Sequence, residues 1–407
     1  MARARWEIPR ALREADALLA RVAEVARLLP ALTATNAVAE RARLVASIVA
    51  GDAPVPRWSL RARRVGRDLW RLLELARARV RGEPIEALYL ERIDELELEL
   101  ALIDALGEPR RVRPLAARRF GTGARPVPTA GGPIPVARIA RVLLETLAHR
   151  EEARVVPASD APGRPSLAAL MHATARAAGI AIEVKVEPRL TAGAATGDRT
   201  VFLADRNFGR REALRFAVHE VLGHAVAAAN ARDQPLRLFD IGTAGAFDAQ
   251  EGLALHLEER AGVLDAYRLR TLAARVLATD RMHAGASFGE TARWLYREHS
   301  FSALDSVAIA ERAYRGGGVA RDVGYLHGWL VVRAAVSAGA PSLDVLRAGR
   351  IGLPTARMLP ALVEAGLARA PRYRPSLAES LFATDAGTSW ETSPPSIAAS
   401  LTMLDET

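Results

Sequence analysis

The sequence predicts a helix-rich α+β fold with one small, largely antiparallel sheet that precedes a helix containing two histidines. Apolar residues recur at helical spacing along most of the chain, beginning with Leu18, Leu19, Val22 and Val25. Alternation typical of a strand occurs at 180–186, and a turn then precedes a second strand at 200–203. The chain has 407 residues, half of them hydrophobic, and is therefore long enough to bury a sizeable core.

The first part of the chain is predicted to be helical throughout. Apolar residues at helical spacing mark three segments, 18–29, 65–75 and 88–103. Pro84 and Gly107 flank the third segment and are typical of a helix start and a helix end.

Glycine and proline at 120–135 are too frequent for a helix and predict a long loop. We place a domain boundary at its start, which divides the chain into a helical N-terminal region at 1–118 and a catalytic region at 119–390. The remaining residues, 391–407, are rich in serine, threonine and proline and are expected to form a poorly ordered tail.

The predicted sheet follows two helices, at 136–150 and 166–178, and further helices return between 248 and 337. Beside the sheet lies a segment of small residues, 191–196. This segment either completes a supporting sheet or forms an edge strand whose free backbone groups pair with an extended peptide.

Composition excludes several classes of site. The chain has no cysteine, so a metal would have to be held by histidine and carboxylate groups. The net charge of +9 comes from arginines dispersed among acidic residues, with no basic stripe or recognisable module, so nucleic-acid binding is not expected. No signal peptide and no apolar run of about 20 residues is present, so we expect a cytoplasmic protein without a membrane partner.

The most informative motif is His219-Glu220-Val221-Leu222-Gly223-His224, followed by Glu251 within Gln250-Glu251-Gly252-Leu253-Ala254. Two imidazoles and a later carboxylate can hold zinc and leave the fourth position to water. Glu220, adjacent to the first ligand, would face that water and act as the base. Two plainer interpretations remain open, in which the histidines are unrelated and Glu251 only caps a helix.

The spacing of the two histidines is unusual. Residues five apart in a regular α-helix are rotated by roughly 140° and cannot bind one ion. Either a turn of π-helix brings them to one face, or the helix ends near Gly223 and His224 follows in irregular backbone. We favour the π-helix because the alanines after His224 favour continued helix, namely Ala225, Ala227, Ala228 and Ala229.

The two motifs together resemble the tyrosine carboxypeptidase-like zinc peptidases, whose bacterial members are called flavohemoglobin expression-modulating QEGLA motif proteins. Segments 88–121 and 321–328 are similar to that family as well. The resemblance implies a carboxypeptidase with one zinc per chain, His219, His224 and Glu251 as ligands, and Glu220 as catalytic base. It implies a peptide or protein C-terminus as substrate, with C-terminal tyrosine as one candidate. We infer no obligate protein partner from the sequence.

A carboxypeptidase also needs a cation for the terminal carboxylate of its substrate, ideally an arginine. Arg312 and Arg315 are the candidates, and Tyr325 is a candidate donor to the tetrahedral oxyanion. The alternative is a regulatory protein that binds zinc on the same fold without turnover. The presence of Glu220 favours the enzyme, since a protein without catalysis has no use for the base.

Overall fold

The computed structural model describes residues 8–61, 64–148, 154–160 and 166–377, and helices dominate these ranges. The predicted tail at 391–407 lies outside the described residues. The helices before the glycine- and proline-rich loop are α1 (Arg10–Val25), α2 (Leu28–Leu32), α3 (Ala37–Val49), α4 (Arg67–Arg79), α5 (Glu86–Asp104) and α6 (Pro109–Phe120). The predicted segments at 65–75 and 88–103 correspond to α4 and α5, whereas the segment at 18–29 is divided between α1 and α2.

These helices share a hydrophobic core with the rest of the chain. Leu19 of α1 and Leu73 of α4 are fully buried in the same cluster as Leu222 and Leu253. The buried Asp16 of α1 accepts hydrogen bonds from the Tyr89 hydroxyl and the Arg237 backbone at 2.9 and 2.6 Å. One cluster therefore contains residues from both sides of position 118, and the division into two regions stays a prediction.

The predicted loop at 120–135 contains a short antiparallel hairpin of β1 (Pro126–Val127) and β2 (Ile134–Pro135). Helices α7 (Val136–Thr146) and α8 (Leu167–Ala177) follow, where the sequence predicts helices. Strand β3 (Arg154–Val156) pairs antiparallel with β7 (Phe208–Gly209).

A three-stranded sheet contains β4 (Glu183–Val186), β5 (Ala194–Thr196) and β6 (Thr200–Leu203), in the order β4-β6-β5. β5 is antiparallel to β6, as predicted, but β4 is parallel to β6. Strand direction could not be predicted from the alternation of apolar residues, because that alternation is the same in both arrangements. β5 lies at the edge of this sheet, as one of the two interpretations of segment 191–196 required.

One continuous helical segment follows the sheet and consists of α9 (Arg210–Phe216), a π-helix (Ala217–Ala225) and α10 (Val226–Arg232). The remaining α-helices are α11 (Leu238–Ile241), α12 (Ala246–Arg260), α13 (Ala266–His283), α14 (Phe288–Glu298), α15 (Ala303–Tyr314), α16 (Val323–Ser337), α17 (Leu343–Leu346) and α18 (Leu353–Glu364). A short 3-10 helix (Arg315–Gly317) follows α15. None of the described helices combines the length and the apolar composition needed to cross a bilayer.

Helix α12 packs closely between the π-helix and α16. Glycines make this approach possible. A Cβ atom at Gly223 would lie 2.9 Å from the Ala254 Cβ, and one at Gly252 would lie 2.2 Å from the carbonyl oxygen of Gly328. Both distances are shorter than van der Waals contact, so Gly223 allows the close approach of α12 to the histidine motif and Gly252 allows its close approach to α16.

Candidate functional site

The π-helix brings the two histidines of the motif to one face. Hydrogen bonds in a π-helix join residues five apart, so side chains at that spacing lie above one another. The Nε2 atoms of His219 and His224 are 3.2 Å apart. The predicted π-helix is confirmed. The alternative, a helix that ends near Gly223, is wrong, because α10 continues directly to Arg232.

Glu251 approaches the histidines from α12. Its Oε2 atom lies 3.4 Å from His219 Nε2 and 3.7 Å from His224 Nε2. The suggestion that Glu251 caps the helix is wrong, because α12 begins at Ala246 and Gly245 occupies the N-cap. In the described part of the chain these three side chains form a group that could hold a metal ion.

A second carboxylate on α12 orients the first histidine. Glu258 is fully buried, and its Oε1 accepts a hydrogen bond from His219 Nδ1 at 2.7 Å. Burial alone would lower the pKa of His219, but Glu251 and Glu258 outweigh it and raise this pKa to about 9. Sequence reasoning missed Glu258, although it follows Glu251 by seven residues and two helical turns place it on the same face.

The proposed base contacts the edge strand. Glu220 is buried, and its Oε2 accepts a hydrogen bond from the Thr196 hydroxyl at 2.7 Å. Thr196 is the last residue of β5, so the strand beside the motif holds one carboxylate oxygen of Glu220. The sequence identified the small-residue segment 191–196 but assigned no role to Thr196, because the contact depends on how β5 packs against the π-helix.

A cavity of about 680 Å³ opens in front of this group. His219 and Glu220 line it, together with the segment that leads into β5 at Thr191. Residues of α13 and α15 also line it, among them Tyr267, Arg275, Ala308 and Ile309. The cavity therefore lies between the histidine motif, the open edge of β5 and the helices α13 and α15.

The three further residues proposed from the sequence, Arg312, Arg315 and Tyr325, all line this cavity. Arg312 donates a hydrogen bond from Nε to the Asp322 carboxylate. The sequence analysis assigned no role to Asp322. Among the described residues, the buried Nη2 of Arg315 has no hydrogen-bond partner. The hydrogen bonding of Arg312 and Arg315 thus differs, a difference that the sequence could not reveal.

Tyr325 lies on α16 near the candidate ligands. Its hydroxyl is 3.5 Å from Arg321 Nη2, and its ring packs edge-on against Phe247. Burial raises the pKa of Tyr325 above its ordinary value, so the hydroxyl keeps its proton at neutral pH. The side chain can therefore donate a hydrogen bond into the cavity.

Comparison with known families supports the resemblance noted in the sequence. A sequence model of the family described as microtubule-associated tyrosine carboxypeptidase matches residues 59–389. Comparisons with curated proteins and with solved structures gave no match. The family match covers most of the 407 residues and includes every candidate site residue. The chain therefore belongs to the microtubule-associated tyrosine carboxypeptidase family, a family of carboxypeptidase-like peptidases.

Proposed function

We propose that this protein is a zinc-dependent carboxypeptidase that removes one C-terminal residue from a peptide or protein. The spacing of the three ligand atoms carries the proposal. They are 3.2, 3.4 and 3.7 Å apart. Ligand atoms in a tetrahedral zinc site with bonds of about 2.1 Å are about 3.4 Å apart. The donor set of His219, His224 and Glu251 therefore fits one zinc ion per chain and leaves the fourth position for water or substrate.

A zinc ion bound there would polarise the peptide carbonyl and lower the pKa of water. The proton transfers fall to a side chain of the protein, Glu220. Glu220 accepts the proton of the attacking water and passes it to the leaving amine. Thr196 fixes one oxygen of that carboxylate by donating to it, and Glu258 fixes the ring of His219 through Nδ1.

The edge of β5 offers backbone groups for an extended substrate. Ala204 donates to the Gly193 carbonyl, and Gly197 donates to the Thr200 carbonyl, so Gly193 and Gly197 face β6. Backbone groups alternate in an antiparallel pair, hence those of Ala194 point away from β6. Because Ala194 lines the cavity, a peptide chain can pair with this edge beside Glu220.

Arg315 is the better candidate for the terminal carboxylate of the substrate. Arg312 already bonds with Asp322, whereas Nη2 of Arg315 is free among the described residues. A buried guanidinium nitrogen without a partner favours binding of an anion, because an unmade hydrogen bond to a charged group is costly. Tyr325, protonated and in the same cavity, would donate to the oxyanion.

Digestion of a peptide library tests this proposal. The zinc-loaded wild type should release one C-terminal residue, and Glu220→Gln should release none, since the base is lost. Glu364→Gln, an exposed position at the end of α18, is the matched control and should retain activity. Peptides with a C-terminal amide should resist cleavage. Internal cleavage would contradict the carboxypeptidase assignment, and failure to take up zinc would contradict the metal assignment.

The second candidate, a zinc-binding regulatory protein without turnover, predicts metal uptake but no product in the same digestion. The hydrogen bond from Thr196 to Glu220 favours the enzyme, because holding zinc requires neither residue. A cytoplasmic location and the lack of nucleic-acid, membrane or obligate protein partners stay predictions from the sequence.

A further inference from the structure

Arg41 of helix α3 lines the substrate cavity. Helix α3 ends at Val49, before the first residue that the family model matches. Its Nε and Nη2 donate to Oε2 of Glu311 at 3.0 and 2.7 Å, and its Nη1 donates to the Thr191 carbonyl at 3.2 Å. The two charged side chains are 21% and 9% exposed, so the ion pair is largely removed from water.

Glu311 has a second cationic neighbour. Arg315 follows it by four residues as the C-cap of α15, and its backbone N–H donates to the Glu311 carbonyl, so the two side chains start from neighbouring turns. Burial lowers the pKa of Arg315 to about 10, and the carboxylates of Asp322 and Glu311 oppose that shift. Glu311 is therefore close enough to attract Arg315, yet both donors described for its carboxylate come from Arg41.

A buried carboxylate that loses its partner takes another one, because an unpaired buried charge is costly. Without Arg41, Arg315 is the cationic neighbour that could take its place. The Glu311 carboxylate would then occupy the guanidinium that the substrate carboxylate needs.

We propose that Arg41 is a positioning residue of the substrate site. By holding the Glu311 carboxylate, it keeps Arg315 free for the terminal carboxylate of the peptide. This inference rests on the proposed carboxypeptidase function. It assigns to α3, a helix outside the family match, a part in substrate binding.

Peptide binding to a Glu220→Gln background, which removes turnover, tests the role of Arg41. The probes are one fluorescent peptide with a free C-terminal carboxylate and the same peptide as its amide, measured by anisotropy with zinc bound. Arg41→Ala should raise the Kd of the acid about tenfold, the loss expected for a hydrogen bond to a charged group, and leave the Kd of the amide unchanged. Arg43→Ala is the matched control on the same helix, since Arg43 pairs with Glu40.

Adding Glu311→Gln to Arg41→Ala should restore acid binding to within about twofold, because the competing charge is gone. A structural role of Arg41 alone would not show this recovery. Equal losses for acid and amide, or no recovery in the double variant, would overturn the inference.

The binding assay separates this inference from the proposed function. Suppose the wild type releases no residue, but the Glu220→Gln background binds the acid peptide more tightly than the amide and the double variant recovers that preference. The enzyme assignment would then be wrong and the role of Arg41 would be supported. If the wild type is active but the double variant does not recover acid binding, only the role of Arg41 would be wrong. If the background protein did not distinguish acid from amide, the assigned carboxylate site and the role of Arg41 would both be wrong.

Discussion

Substituting Gly223 by alanine is expected to damage the candidate metal site by steric pressure. Gly223 lies between Glu220 and His224 on the π-helix and faces α12. A Cβ atom there would lie 2.9 Å from the Cβ and 3.2 Å from the Cα of Ala254. Ala254 follows Glu251 by three residues on the same helix. Pressure on Ala254 therefore moves the turn that carries the third candidate ligand.

Two effects of this substitution oppose each other. Alanine in place of glycine within a helix stabilises by about 0.5 to 1 kcal/mol. Overpacking of a well-packed interior costs about 1 to 3 kcal/mol. The clash outweighs the gain, because the closest atom, the Cβ of Ala254 at 2.9 Å, is attached directly to the backbone and no side-chain rotation can move it. Restoring ordinary contact at about 3.5 to 4 Å requires a helix movement of roughly 1 Å.

A movement of that size exceeds the tolerance of a metal site, which is about 0.2 Å in each ligand distance. We expect zinc affinity to fall about 10- to 100-fold, as when an outer partner of a metal ligand is lost. Titration of metal-free protein against a competing chelator measures this change. Gly131→Ala is the control, because a Cβ atom at Gly131 meets no atom within 4 Å.

Gly223→Ala combined with Ala254→Gly moves the methyl group from one helix to the other and should recover most of the affinity. Wild-type affinity in Gly223→Ala alone would refute the steric argument. A double variant as weak as the single one would show that the backbone conformation of the π-helix, and not the space beside Ala254, requires glycine.

Three further perturbations follow from individual contacts. Thr196→Val removes the donor to Glu220 and should lower kcat about tenfold with KM unchanged in steady-state peptide hydrolysis; an unchanged kcat would contradict the role of Thr196. Glu258→Gln should weaken zinc binding about 10- to 100-fold, since it weakens the acceptor that orients His219, and unaltered affinity in a chelator titration would exclude that role. Burial raises the pKa of Asp16 to about 6, so its stabilising contribution is complete below its unfolded pKa of about 4 and is lost as the pH rises through 6. Between pH 5 and 7 the unfolding free energy from urea denaturation should fall about 1 kcal/mol less in Asp16→Asn than in the wild type, and equal changes would contradict the assignment.

The helical part of the fold and the core of the site were predictable because their signals are local. Apolar periodicity identified α4, α5, α8 and α12 within a few residues, and the strand at 200–203 has the predicted bounds. The five-residue histidine spacing predicted a departure from the regular α-helix, and the alanines after His224 favoured a π-helix over a helix that ends near Gly223. Strand direction was not predictable, because apolar residues alternate in the same way in a parallel pair, such as β4 with β6, as in an antiparallel one.

The sequence by itself determined which chemistry is available: with no cysteine, two histidines and two glutamates at informative spacing are the candidate ligands and base. It could not distinguish Arg312 from Arg315. It also could not identify the residues that contact the site from distant segments, namely Thr196, Glu258 and Arg41. The physical reason is distance along the chain, since Glu258 contacts His219 across 39 residues and Arg41 contacts Glu311 across 270. Contacts between distant segments depend on how helices pack, and in this protein that packing depends on where glycine leaves room between α12 and the π-helix.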